Sequence, residues 1–170
     1  VHDMRNKIES EPVDAVFNLF TSFGYFETEA EDRSVFKSVS DVLKDEAYFV
    51  LDFLNAEYVK NGIIPQSSVE KENIVFNINK KIEDNHIIKE IDFEDKGEKF
   101  HFFERVKLTS AEKIQQYAQE FGFELVKRWG DYQLNDFDES TSPRCINLFK
   151  CQKSEEGGAK TSNIQLPSSN

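Results

Sequence analysis

Val13-Asp14-Ala15-Val16-Phe17-Asn18-Leu19-Phe20 contains, from Ala15 on, a nearly unbroken apolar run of strand length. Apolar residues at consecutive positions suit a strand covered by helices on both faces, so the run predicts a central parallel strand. Its sequel predicts a crossover. Thr28 with Glu31 three residues later is a capping-box pair, and Val35, Phe36, Val39, Val42 and Leu43 recur at helical spacing, which predicts a helix over 29–44. Ala47-Tyr48-Phe49-Val50-Leu51 is again apolar throughout and runs into Asp52-Phe53-Leu54-Asn55. Strand, helix, strand predicts a right-handed crossover unit and an α/β protein.

Beyond this unit the apolar period changes. Ile74, Phe76 and Ile78 alternate with polar residues, as do Ile87, Ile91 and Phe93, and then Phe100, Phe102, Val106 and Leu108. Three antiparallel strands fit that pattern, joined by turns at Glu83-Asp84-Asn85 and Asp95-Lys96-Gly97. A second helix is expected to start at a Thr109 cap with Glu112 in its first turn, to bury Ile114, Tyr117, Ala118 and Phe121, and to stop at Gly122. Two strands, 123–129 and 144–151, close the pattern. From Lys153 the composition turns to Ser, Gly, Glu, Lys and Asn, and 153–170 is expected to be a disordered tail.

The 170 residues are enough for one core, with 38% apolar and 13% aromatic content. The net charge of −11 repels phosphate backbones and anionic lipid, so nucleic acid and membrane surfaces are poor partners. Phe100-His101-Phe102-Phe103 therefore reads as packing or pocket lining, not as a base-stacking strand. Cys145 and Cys151 lie six residues apart on one expected strand, about 20 Å at roughly 3.3 Å per residue, too far for a disulfide. Unpaired cysteines and no signal-like start suggest a cytoplasmic setting. His2, His86 and His101 are scattered, and no metal site is expected.

Taken in order, Asp3-Met4-Arg5, the stretch Val13 to Phe26, Phe49 to Asn55, Glu120-Phe121-Gly122-Phe123, Gly130-Asp131-Tyr132 and Ser142-Pro143-Arg144 resemble one branch of the class I S-adenosylmethionine-dependent methyltransferases. The resemblance spans about residues 1–150. It implies a partial Rossmann-like methyltransferase sheet, residues 1–152, carrying an antiparallel three-stranded β insertion at 73–108 over the substrate pocket. It also implies S-adenosyl-L-methionine as cofactor, bound outside the carboxyl ends of the strands, where open α/β sheets hold ligands. By this resemblance Asp3 and Met4 contact adenine, and Asn18, Leu19 and Phe20 lie beside the methionine part of the cofactor. Ser22, Phe23, Gly24 and Asn55 line the mouth for a small-molecule methyl acceptor, with Tyr25 as the catalytic candidate.

The residues themselves keep other readings open. Asn18 is an amide inside an apolar strand, costly unless it finds partners, which favours a ligand-facing role. Ser22-Phe23-Gly24-Tyr25 reads equally as a turn with aromatic packing. No Gly-x-Gly loop precedes Asp3, the ribose-binding acid has no counterpart, and the family's first two strands are absent. The chain is accordingly expected to be a truncated form of such an enzyme, or else a noncatalytic methyltransferase-like interaction module. With the first strand missing, 15–20 becomes an uncovered edge and a candidate surface for self-association.

Overall fold

A computed structural model describes residues 2–153, so the expected tail from 154 on lies outside the described residues. The elements run β1 (Val13–Asn18), α1 (Glu29–Val42), β2 (Leu43–Leu54), α2 (Ala56–Gly62), β3 (Gln66–Lys71), β4 (Ile74–Glu83), β5 (His86–Asp95), β6 (Glu98–Lys107), α3 (Ala111–Glu120), β7 (Phe123–Trp129) and β8 (Arg144–Cys151). Among the described residues they form two four-stranded sheets, ordered β1-β2-β8-β7 and β3-β4-β5-β6. The expected parallel crossover is present: β1 runs parallel to β2, with Ala15 opposite Tyr48 and Asn18 opposite Leu51. β8 pairs antiparallel with both β2 and β7.

The core lies between the first sheet and its helices. α1 starts at the Thr28–Glu31 capping box and ends two residues earlier than the spacing predicts, because Leu43 already has extended backbone and opens β2. Its Phe36 is fully buried and meets Phe49, Phe149, Phe123 and Tyr117 at ring-centroid distances of 5.9 to 6.5 Å, mostly edge to face. Each such ring contributes about 1.5–3 kcal/mol through burial, and the tilted geometry adds to that. Both cysteines are free and buried in β8.

Two expectations need correction, and one short helix is added to them. The insertion has four strands: Gln66–Lys71 is exposed throughout and holds only Val69 as a large apolar residue, so its backbone pairing with β4 left no alternation to read. The short α2 buries only Ala56, which gave no periodicity either. α3 is capped by Ser110, whose hydroxyl accepts from the Lys113 amide, because Leu108 and Thr109 are drawn into the interior and the free hydroxyl comes one residue later. β1 lies at a sheet edge, as the missing first strand implies, with Phe17 64% exposed.

The root of the insertion grips the first sheet. The Lys107 amide donates to the Gly24 carbonyl at 2.8 Å, Ile87 and Val106 join the core, and Lys107 Nζ reaches the buried Asp32 carboxylate at 2.6 Å. Desolvation raises the Asp32 pKa, and Lys107 opposes that shift.

Candidate functional site

Parallel pairing brings the carboxyl ends of β1 and β2 side by side, the end where open α/β sheets carry their ligands. The chain leaves β1 through Phe20 and Thr21, both left-handed, with φ of 58° and 59°. Two consecutive non-glycine residues in that region are strained and persist only where their surroundings hold them. Asp52, near the end of β2 and 1% exposed, supplies the hold. Its Oδ2 accepts from the Phe20 amide at 2.8 Å and from the Tyr132 hydroxyl at 3.0 Å, and its backbone carbonyl accepts from the Thr21 amide at 3.2 Å.

Arg144, the first residue of β8, completes this cluster. Its Nε and Nη2 donate to Asp52 Oδ1 at 2.9 and 2.6 Å, and Nη2 also donates to the Thr21 hydroxyl at 2.9 Å. The guanidinium lies over the Tyr132 ring, 5.5 Å from its centroid. Burial, together with the hydrogen bond to Asp52, pushes the Tyr132 phenol upward. Outside the cluster the Phe20 and Tyr132 rings stand 6.5 Å apart and are both exposed.

The N-terminal flank holds a second group. Asn18 Nδ2 lies 3.7 Å from Met4 Sδ, while Asn18 Oδ1 is buried without a hydrogen-bond partner. An orphaned buried acceptor costs about 1–3 kcal/mol, and a ligand donor would satisfy it. Asp3 accepts from Arg5 through both oxygens, and Arg5 also contacts Glu31 of α1. Those bonds hold the Asp3 carboxyl at about 2.

The remaining sequence-derived residues divide into surface and interior. Leu19 and Tyr25 are exposed, and the Ser22 hydroxyl donates to the Leu19 carbonyl at 2.7 Å. Desolvation first, and then the nearby charge of Glu104, raises the Tyr25 phenol. Gly24 has φ of 89°, and a Cβ there would lie 2.9 Å from Phe53 Cζ. Phe23 is fully buried against Phe36 and Phe53. Asn55 is buried as well: it caps α2 and donates to the carbonyls of Glu139 and Ser142. The structure therefore brings together Met4, Asn18, Phe20 and the turn after β1, whereas the Phe23 and Asn55 side chains act inside the fold. Sequence reasoning gave Thr21, Asp52, Tyr132 and Arg144 no individual role, although all four stood in the quoted stretches.

No family model matches the chain, and no curated protein is significantly similar to it in sequence. Solved structures do resemble it. A S-adenosylmethionine-dependent methyltransferase from Clostridium acetobutylicum superposes with a TM-score of 0.79 at 16% identity, over 89% of this chain and 63% of that one. The CcbJ methyltransferase from Streptomyces caelestis gives 0.75 at 18%, over 90% and 63%. The S-adenosylmethionine-bound amino pentose methyltransferase CalS10 from Micromonospora echinaspora gives 0.66 at 17%, over 88% and 62%. The chain thus spans less than two thirds of the length of these structures.

Proposed function

We propose that this chain, whose fold is that of the class I S-adenosylmethionine-dependent methyltransferases, forms the acceptor-side part of an enzyme that methylates a small molecule, with an amine as the favoured acceptor. The fold match over about nine tenths of the chain carries this reading. The amine preference rests on the amino pentose enzyme among the similar structures.

The residues present fit S-adenosyl-L-methionine in part. Asn18 Oδ1 is a buried acceptor in need of a donor, and Met4 and Asp3 stand on the same flank. No Gly-x-Gly occurs in the 170 residues, so the loop expected around the rest of the cofactor is not supplied by them. When bound, the sulfonium brings an already activated methyl group, and this chain's share of the work is alignment and exclusion of water. Asp52 and Arg144 fix the Phe20–Thr21 turn beside the methionine end. Phe20 and Tyr132 offer apolar surface at the mouth, and Tyr25, exposed in the same loop as Phe20, is the candidate that in its ionised form accepts the acceptor's proton. The insertion, rooted on Gly24, forms one wall of the acceptor space.

A second reading, a noncatalytic interaction module, is favoured by the open β1 edge, where a further strand of this or another polypeptide would extend the sheet. A transfer assay with methyl-labelled cofactor, run on the complete polypeptide against a panel of amines and amino sugars, separates the two. Label in any acceptor supports the enzyme; none across the panel, with no cofactor binding, supports the module.

A further inference from the structure

Lys113 stands in the first turn of α3, where a cation opposes the helix dipole, and its Nζ lies 3.1 Å from a Glu29 carboxylate oxygen of α1. Both side chains line a cleft of about 320 Å³ where α1, α2, α3 and the root of the insertion meet, a size in the range of small-molecule sites. Lys60 and Lys107 line it as well. On a chain of net charge −11 the cleft thus carries three lysines against one carboxylate. Asp32 and Glu57, which pair with Lys107 and Lys60 at 2.6 and 2.8 Å, are not part of its lining.

The backbone adds to that charge. Thr109 and Ser110 lead the chain into α3, whose N-terminus carries the positive end of its aligned peptide dipoles. Ser110 accepts from the Lys113 amide, whereas the Ala111 and Glu112 amides donate to nothing among the described residues. Free amides at a helix start suit an anion. A side chain points the same way: Thr109 lines the cleft, is 5% exposed, and its Oγ1 has no hydrogen-bond partner. A buried hydroxyl left unbonded is costly, and an anion oxygen would accept from it. The Ser110 hydroxyl also keeps its own hydrogen to donate.

We propose that this cleft binds a phosphoryl group, free or carried by a small molecule, with the Thr109 and Ser110 hydroxyls and the first two amides of α3 as donors and the three lysines as counter-charge. Donors on the helix start, on two hydroxyls and on ammonium groups ask for a ligand with several acceptor oxygens. A phosphoryl group has three, and a carboxylate only two. Glu29 works against the ligand. The hydrogen bond from Lys113 lowers the Glu29 carboxyl, so it is ionised at neutrality and competes for that lysine. The cleft shares no residue with the group of Met4, Asn18, Phe20 and Asp52, so the proposal does not depend on methyl transfer.

Titration of the isotope-labelled 170-residue chain with inorganic phosphate, and separately with a hexose phosphate, tests this through the Ala111 and Glu112 amide resonances, with ionic strength held constant by chloride. Saturable shifts in the millimolar range are expected, absent with chloride alone. Thr109→Val removes the unbonded hydroxyl at similar shape, and should raise the dissociation constant about tenfold without lowering the melting temperature. Lys113→Met should also raise it, and Glu29→Gln should lower it. Lys44→Met, on β2 and outside the cleft, should leave it unchanged. Tighter binding of the hexose phosphate marks a carried phosphoryl group, and equal or weaker binding marks the free ion. No saturable shift, shifts that chloride reproduces, or binding indifferent to Thr109→Val or to Lys113→Met overturns the proposal.

Discussion

Arg144 commits Nε and Nη2 to one oxygen of Asp52, leaving the other oxygen free to accept from the Phe20 amide and the Tyr132 hydroxyl. The pair is nearly buried, with side-chain exposures of 18% and 2%. One carboxylate therefore joins the ends of β1, β2 and β8 and the loop that carries Tyr132.

Asp52→Asn removes the charge that Arg144 faces and leaves a buried guanidinium unpaired. A loss of about 3 kcal/mol is expected, since breaking one side of a buried pair exceeds the net worth of the pair. Urea denaturation measures it, and the Phe20 amide resonance should shift as the left-handed turn relaxes. A change below about 0.5 kcal/mol would mean that the turn is held by other contacts.

Gly24→Ala should cost about 2 kcal/mol, because the new methyl meets Phe53 and Val106 at 2.9 and 3.2 Å in a backbone that already disfavours a side chain. Gly97→Ala is the internal comparison: its φ is 83°, but a Cβ there meets nothing within 4 Å, so only the backbone cost of about 1 kcal/mol applies. Equal thermal shifts for both variants would show that the contact of Gly24 with the insertion is loose.

Lys107→Met removes the cation that offsets desolvation of Asp32, so the Asp32 pKa, already raised, rises further. Between its unfolded and folded pKa values the folded state binds the extra proton, so stability falls as pH rises through that window. The variant should lose about 3 kcal/mol near neutrality and recover much of it in acid. Asp32→Asn added to Lys107→Met should flatten that pH dependence. Parallel pH–stability curves for wild type and Lys107→Met would remove Asp32 as the cause.

Most of the architecture was legible wherever burial imposed a period. The Thr28–Glu31 box and the helical spacing from Val35 to Val42 mark a face that meets the core, and the alternation in β4 to β6 marks one face of the second sheet, of which Ile87 and Val106 reach the core. β3 was not legible, because a strand held only by backbone bonds at an exposed edge places no demand on its side chains. The apolar run from Ala15 told of two covered faces, whereas the missing first strand told of an open edge, and it is the edge that the structure has, with Phe17 exposed on it. In the site, resemblance pointed to Asn18 and the turn after it. The Asp52–Arg144 pair stayed unread because its partners are 92 residues apart and only the fold joins them.

The 170 residues alone are expected to show no measurable heat on titration with S-adenosyl-L-methionine. Met4, Asn18 and the turn after β1 offer one flank of a site, without glycine backbone to approach a ribose or methionine closely. Micromolar binding would show that the pocket is built by other means.

In the complete polypeptide, Asp3→Ala and Tyr25→Phe should separate binding from turnover. Asp3 is held by Arg5 at about 2, so it is ionised at every working pH and adds no titration near neutrality. Its loss should weaken cofactor binding severalfold and leave kcat nearly unchanged. Tyr25 has the opposite character. Desolvation and Glu104 keep its phenol protonated well above neutrality, so if it accepts the acceptor's proton, kcat rises with pH in the alkaline range. Tyr25→Phe should remove that rise and lower kcat about 10²-fold at its plateau. Glu104→Gln takes away the nearby negative charge, lowers the Tyr25 pKa and moves the rise to lower pH without removing it. A rise that persists in Tyr25→Phe, or that Glu104→Gln leaves in place, assigns the proton to another group.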